Sequence, residues 1–142
     1  MVDENGLPEN FRPYALAEGS LVVDGNLRNY YVLNKDVPNA PRWFIGYNKG
    51  KPFISNEIPE DYRVPMIMHE IVEFEQYGKL SGRCSGATRD ELKLVANEKK
   101  DDYIRFRIDV FKELDRFMRE TKEDPIIRRE IRQSISFLEG LL

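Results

Sequence analysis

Cysteine, histidine and tryptophan occur once each in these 142 residues, neither sign of charge is in large excess, and no long apolar run breaks the charged background. The lone cysteine, Cys84, excludes an internal disulfide and fits a reducing compartment, so a cytoplasmic location is expected. With 22 basic against 25 acidic residues the formal net charge is −3, which offers no general attraction to nucleic acid or to an anionic lipid surface. No segment has the uninterrupted apolar length that spans a bilayer, and Met1-Val2-Asp3-Glu4-Asn5-Gly6 lacks the basic start and apolar stretch of a secretory signal. A soluble protein without nucleic-acid or membrane partners is expected. Neither internal repeats nor low-complexity segments are present.

What is there divides into two halves. A chain that is 41% hydrophobic can bury a core without a staple, and 1–142 reads as a single α+β domain. Residues 1–19, with Pro8 and Pro13, read as an irregular arm. Residues 20–58 read as strands. Leu21-Val22-Val23 and Tyr30-Tyr31-Val32-Leu33 flank the turn Asp24-Gly25-Asn26, and Arg42 to Tyr47 and Lys51 to Ser55 flank Asn48-Lys49-Gly50. Two hairpins predict a short antiparallel sheet, with Pro52 placing its strand at an edge. After Pro59 the period changes to three and four. Val64, Ile67, Ile71 and Phe74 form the expected buried stripe of a helix over 61–78, opened by Glu60-Asp61 and closed by Gly78 before the Lys79-Leu80-Ser81-Gly82 loop. A second, long helix is expected over 87–121, with Leu92, Val95, Tyr103, Phe106, Val110, Leu114 and Phe117 inward. A third, over 125–140, is opened by Asp124-Pro125 and buries Ile127, Ile131, Ile135 and Leu138. Arg128-Arg129-Glu130-Arg132 reads as a solvated helix face.

The only histidine opens the chemistry. His69-Glu70-Ile71-Val72-Glu73 lies on the first predicted helix, where residues four apart share a face, so His69 and Glu73 can close on one metal ion with Glu70 beside them. The related pattern H-E-x-x-H holds Zn²⁺ through two histidines while the Glu takes a proton from a water that the metal activates; here a Glu stands in the second histidine's place. A third ligand must come from another element. Glu91, 22 positions beyond His69, is the first candidate, because an antiparallel second helix returns its opening turns beside the first. Glu98 and Asp102 share roughly its face. Cys84, in the intervening loop, is either a soft ligand or simply a buried residue.

Strands followed by a helix with His-Glu on its inward face, then a second helix with a carboxylate, resemble the zincin-like metallopeptidases over about residues 41 to 95, and within them the group whose third ligand is a glutamate on the following helix. The resemblance implies zinc as cofactor, His69, Glu73 and Glu91 as metal ligands, Glu70 as the catalytic general base, and a peptide or protein substrate paired along a strand, either Trp43 to Tyr47 or Phe53 to Ser55. Tyr77, Arg83 and Tyr103 are the candidates for stabilising an oxyanion. Two other readings stay open: a zincin-like domain that binds metal or peptide without turnover, and an α+β interaction module in which the motif is accidental. Oligomeric state is not legible in the sequence.

Overall fold

The computed structural model describes residues 7–78, 81–121 and 125–142. The expectations for residues 1–6, for Lys79 and Leu80, and for Asp124 as a helix cap lie outside these. Strands β1 (Ala15–Val23), β2 (Asn26–Leu33), β3 (Ile45–Asn48) and β4 (Lys51–Ser55) precede helices α1 (Glu60–Ile71), α2 (Arg83–Leu92), α3 (Lys100–Glu120) and α4 (Pro125–Glu139). The class is α+β, as expected. No helix among the described residues is long and apolar enough to cross a membrane.

Both hairpin turns form where expected. Asp24 and Gly25 (φ 50° and 80°) and Lys49 and Gly50 (φ 48° and 81°) each place two successive residues at positive φ, the geometry that matches the right-handed twist of the flanking strands. The sheet itself is mixed rather than antiparallel, in the order β1-β2-β4-β3, because the second hairpin docks through β4 and lays Tyr31, Val32 and Leu33 parallel to Phe53, Ile54 and Ser55. β4 is therefore an inner strand, and Pro52 sits ahead of the stretch paired with β2, where its missing N–H costs that ladder nothing. With β1 at one edge of the sheet, the edge strand of this second hairpin, at the other, is β3. It begins at Ile45 rather than Arg42, because Trp43 takes φ 57° and turns its indole onto Phe106 of α3, 5.4 Å between ring centres. Gly46 has no side chain because the Phe53 ring lies over it, where a Cβ would fall 2.4 Å from the ring.

Strand alternation sends Val32 and Ile54 to the helical side, and Tyr31, Leu33 and half-buried Phe53 to the other. That second face is covered by Leu7, Phe11 and Tyr14, so the expected irregular arm is a 3-10 segment (Glu9–Tyr14) running into β1.

Two departures among the helices position the site. After Ile71, α1 widens into a π-helical turn (Val72–Tyr77), in which the Gly78 amide donates to the Glu73 carbonyl, five residues back, at 2.9 Å. The added residue per turn rotates Phe74 out of the expected buried stripe to 43% exposure, where it stacks on Tyr47 at 5.0 Å, and Val64 is exposed as well. Arg28 grips the turn through both Glu75 oxygens, at 2.8 and 2.6 Å.

The single helix expected over 87–121 is two. α2 ends at Leu92, Ala96 is extended, and a short 3-10 segment (Asn97–Lys99) leads into α3. The break falls at residues 93–96, just ahead of six consecutive polar residues, Asn97 to Asp102, which offer no apolar face to join the two helices into one seam.

Candidate metal centre

α1 and its π turn carry His69, Glu70 and Glu73, α2 carries Cys84 in its first turn and Glu91 in its last, and all five side chains are buried or nearly so. The two imidazole nitrogens face different partners. Nε2 lies 2.8 Å from Glu73 Oε2 and 3.9 Å from Cys84 Sγ, whereas Nδ1 lies 2.7 Å from Glu91 Oε1. His69, Glu73 and Cys84 thus form a group able to hold a metal ion, with ligand atoms all within 4.8 Å of one another. Around a tetrahedral zinc, donors at about 2.0–2.3 Å from the ion stand roughly 3.3–3.8 Å apart, a spacing that the His69–Cys84 pair at 3.9 Å already approaches and that the His69–Glu73 pair at 2.8 Å would reach by opening.

Glu91 was expected in that group, and the structure brings it to His69 but on the opposite nitrogen. Its carboxylate is already fully engaged: Oε1 accepts from Arg107 Nη2 at 3.0 Å and faces His69 Nδ1, while Oε2 accepts from Arg107 Nε at 2.8 Å and from the Tyr103 hydroxyl. A carboxylate with four partners has no lone pair left for an ion. Its place is the one that a carboxylate takes behind a metal-binding histidine, accepting from Nδ1 and leaving Nε2 directed at Glu73 and Cys84. The helix break makes this possible. Glu91 and Arg107 are 16 residues apart, which on a continuous helix would separate them by about 24 Å along the axis.

Cys84 takes the third position instead. Ser134 of α4 donates to its Sγ at 3.0 Å, and Thr88 donates to the Cys84 carbonyl at 2.8 Å. Glu130 of α4, expected on a solvated face, is only 7% exposed, and its carboxylate accepts from the Gly82 and Cys84 amides at 3.1 and 3.4 Å. A carboxylate from a distant helix therefore caps α2 and holds Cys84 in place. Spacing could have revealed this: Glu130, Ser134 and Leu138 recur every four residues and fall on the buried face. Glu130→Ala is expected to cost about 1–3 kcal/mol, since it strips charge-assisted bonds from two helix-start amides. An unchanged urea midpoint would show that water replaces the carboxylate.

The other candidates separate cleanly. Glu98 and Asp102 are exposed, with Asp102 paired to Arg105 at 3.7 Å. Tyr77 donates to Asp90 at 3.2 Å, and Tyr103 is engaged by Glu91. Among the three oxyanion candidates only Arg83 lines the cavity over the site, held between Glu73 (3.5 Å) and the Gly78 carbonyl (2.9 Å).

That cavity, of about 290 Å³, has His69, Glu70, Glu73 and Cys84 in its lining. Burial, reinforced by the charge of Glu73, lifts the Glu70 carboxyl to about 7. Burial by itself would lower the His69 pKa, but Glu91, with Cys84 and Glu73, outweighs it and holds the imidazole well above its ordinary range. Glu91, though buried, stays ionised below the usual carboxylate range because Arg107 and His69 face it. Comparison with protein-family models, with curated proteins and with solved structures finds no match to this chain.

Proposed function

We propose that this chain is a minimal zinc-dependent peptidase of zincin-like type, with His69, Glu73 and Cys84 holding the ion. The observation that carries the reading is Glu70: a carboxyl poised near 7 on the wall of a cavity, one residue from a histidine whose Nδ1 is held by Glu91 and whose Nε2 faces Glu73 and Cys84. The donor set of imidazole, carboxylate and thiolate suits zinc better than the harder set of one histidine and two glutamates. Three protein ligands leave a tetrahedral ion one open position, as catalytic sites require. When bound, zinc would polarise a carbonyl oxygen and make a water acidic enough to attack at neutral pH.

The remaining work falls to the chain. Glu70 accepts the water's proton as oxygen bonds to the amide carbon, then returns it to the nitrogen as the C–N bond breaks. Arg83, at the cavity wall, is placed to hold the developing oxyanion. Among the described residues β3 pairs in the sheet with β4 alone, and its Ile45 and Gly46 line the cavity, so its outer edge at Ile45 and Gly46 suits an extended peptide. The other candidate strand, Phe53 to Ser55, is paired on both sides and has no edge to offer.

A second reading, a zincin-like domain that holds metal without turnover, draws on the same ligands: a thiolate and a carboxylate both donate negative charge and blunt the Lewis acidity of the ion. The test separates them. Protein purified without chelator or metal-affinity resin should carry about one zinc, lost in His69→Ala and Cys84→Ala. Glu70→Gln should keep the zinc and lose about 10²–10⁴-fold of peptide cleavage. Wild type without zinc would sink both readings; zinc with cleavage unaffected by Glu70→Gln would sink the first.

A further inference from the structure

Beyond its polar lining, the cavity is made of hydrocarbon. α3 contributes Val110, Phe111, Leu114 and Met118, spaced to lie along one stripe, and α4 contributes Ile127 and Ile131 opposite. Protein interiors rarely leave voids larger than a water molecule, so a cavity of about 290 Å³ walled by these side chains beside a cluster of candidate metal donors is shaped for an occupant. Phe74, turned outward by the π turn and stacked on Tyr47, lines the same cavity while remaining 43% exposed, which places it at the mouth.

We propose that this cavity receives one large apolar side chain of the substrate, so that the bond cut adjoins leucine, methionine or phenylalanine. The proposal rests on the peptidase reading and deepens it. Size limits the occupant: the volume is at the lower end of the roughly 300–1,000 Å³ typical of ligand sites, room for one residue and not for several. Charge limits it further. Each charged group on the wall away from Glu70 is already engaged: Arg107 by Glu91, Glu130 by the α2 amides, and Arg83 by Glu73 and the Gly78 carbonyl. A charged side chain entering here would lose its water and could gain a partner only by breaking one of these contacts. An apolar one exchanges water for Val110, Phe111 and Ile131, an advantage of about 10–150-fold over glycine.

Two measurements on the full chain test this, one with zinc and one without. With zinc removed, toluene should shift the methionine methyl signal of Met118 in NMR and show contacts to Phe111. Leu114→Trp, at a half-buried wall position where a larger side chain reaches into the space, should abolish both. With zinc added, N-acetyl-leucine and N-acetyl-phenylalanine hydroxamates should bind about 10–150-fold more tightly than the glycine and aspartate compounds, and Leu114→Trp should erase the preference. Toluene that leaves Met118 undisturbed, or zinc-loaded wild type that binds leucine and glycine hydroxamates equally, overturns the proposal. Toluene seated in a chain that retains no zinc would uphold the cavity as an apolar side-chain site and remove the metal reading alone.

Discussion

Arg107→Met is expected to destabilise the chain by about 3–5 kcal/mol, the largest effect of any single substitution away from the hydrophobic core. Arg107 is 1% exposed and Glu91 is fully buried, with two hydrogen bonds joining them. Burial alone would lower the guanidinium pKa, but Glu91 more than compensates and raises it, so Arg107 stays charged, and it helps in turn to hold the Glu91 pKa below the usual carboxylate range. Removing the cation leaves a buried carboxylate facing only the Tyr103 hydroxyl and His69, and most of the cost comes from that orphaned charge. The same logic makes the double variant informative: Glu91→Leu together with Arg107→Met removes both charges and should recover much of the loss, because an ion pair replaced by apolar groups of similar size is often neutral. Urea unfolding would show the single variant as a fall in midpoint at unchanged slope. A loss under about 1 kcal/mol would mean that the pair contributes no more than an exposed one.

That pair also marks where sequence reasoning stops. His69 and Glu73 four residues apart on one helix are legible, as is the return of Glu91 to the histidine, because both follow from local geometry and one short loop. What Glu91 does there is not local. Its role is set by Tyr103 and Arg107, which reach it only because the chain breaks between α2 and α3, and an apolar seam that appeared to continue from Val95 to Tyr103 concealed the break. The sheet behaves likewise. Turn residues specify each hairpin, whereas nothing in a turn specifies which strand of one hairpin meets the other, and the β2–β4 parallel contact makes the sheet mixed. Glu130 was hidden differently: among three arginines a glutamate reads as solvated, although its spacing from Leu138 places it on the buried face.

Metal removal should reverse the dependence of stability on pH. In the metal-free chain, the raised pKa of His69 contributes stability that is complete below about 6.5 and disappears as pH rises through the elevated value. Glu70, raised to about 7, acts in the same direction, because ionising it in the folded state costs progressively more from about 4.5 upward. Glu91 opposes them at the acid end: its lowered pKa contributes stability above about 4.5 that is lost as pH falls. The chelated protein is therefore expected to be most stable at roughly pH 5 and to weaken steadily toward pH 8. Zinc held as proposed would invert this trend, since it would take the place of the proton on Nε2 and need Cys84 as thiolate, so that its affinity would climb with pH and each binding event would release protons. At a free zinc concentration about 100-fold above the dissociation constant the added stability is about 2.7 kcal/mol, and at 1,000-fold about 4.1 kcal/mol. Melting curves recorded from pH 5 to 8 with chelator and with zinc should nearly coincide at the acid end and diverge steadily toward the alkaline end, and Cys84→Ala should collapse the divergence. Curves that stay parallel across that range would show that His69, Glu73 and Cys84 hold no zinc.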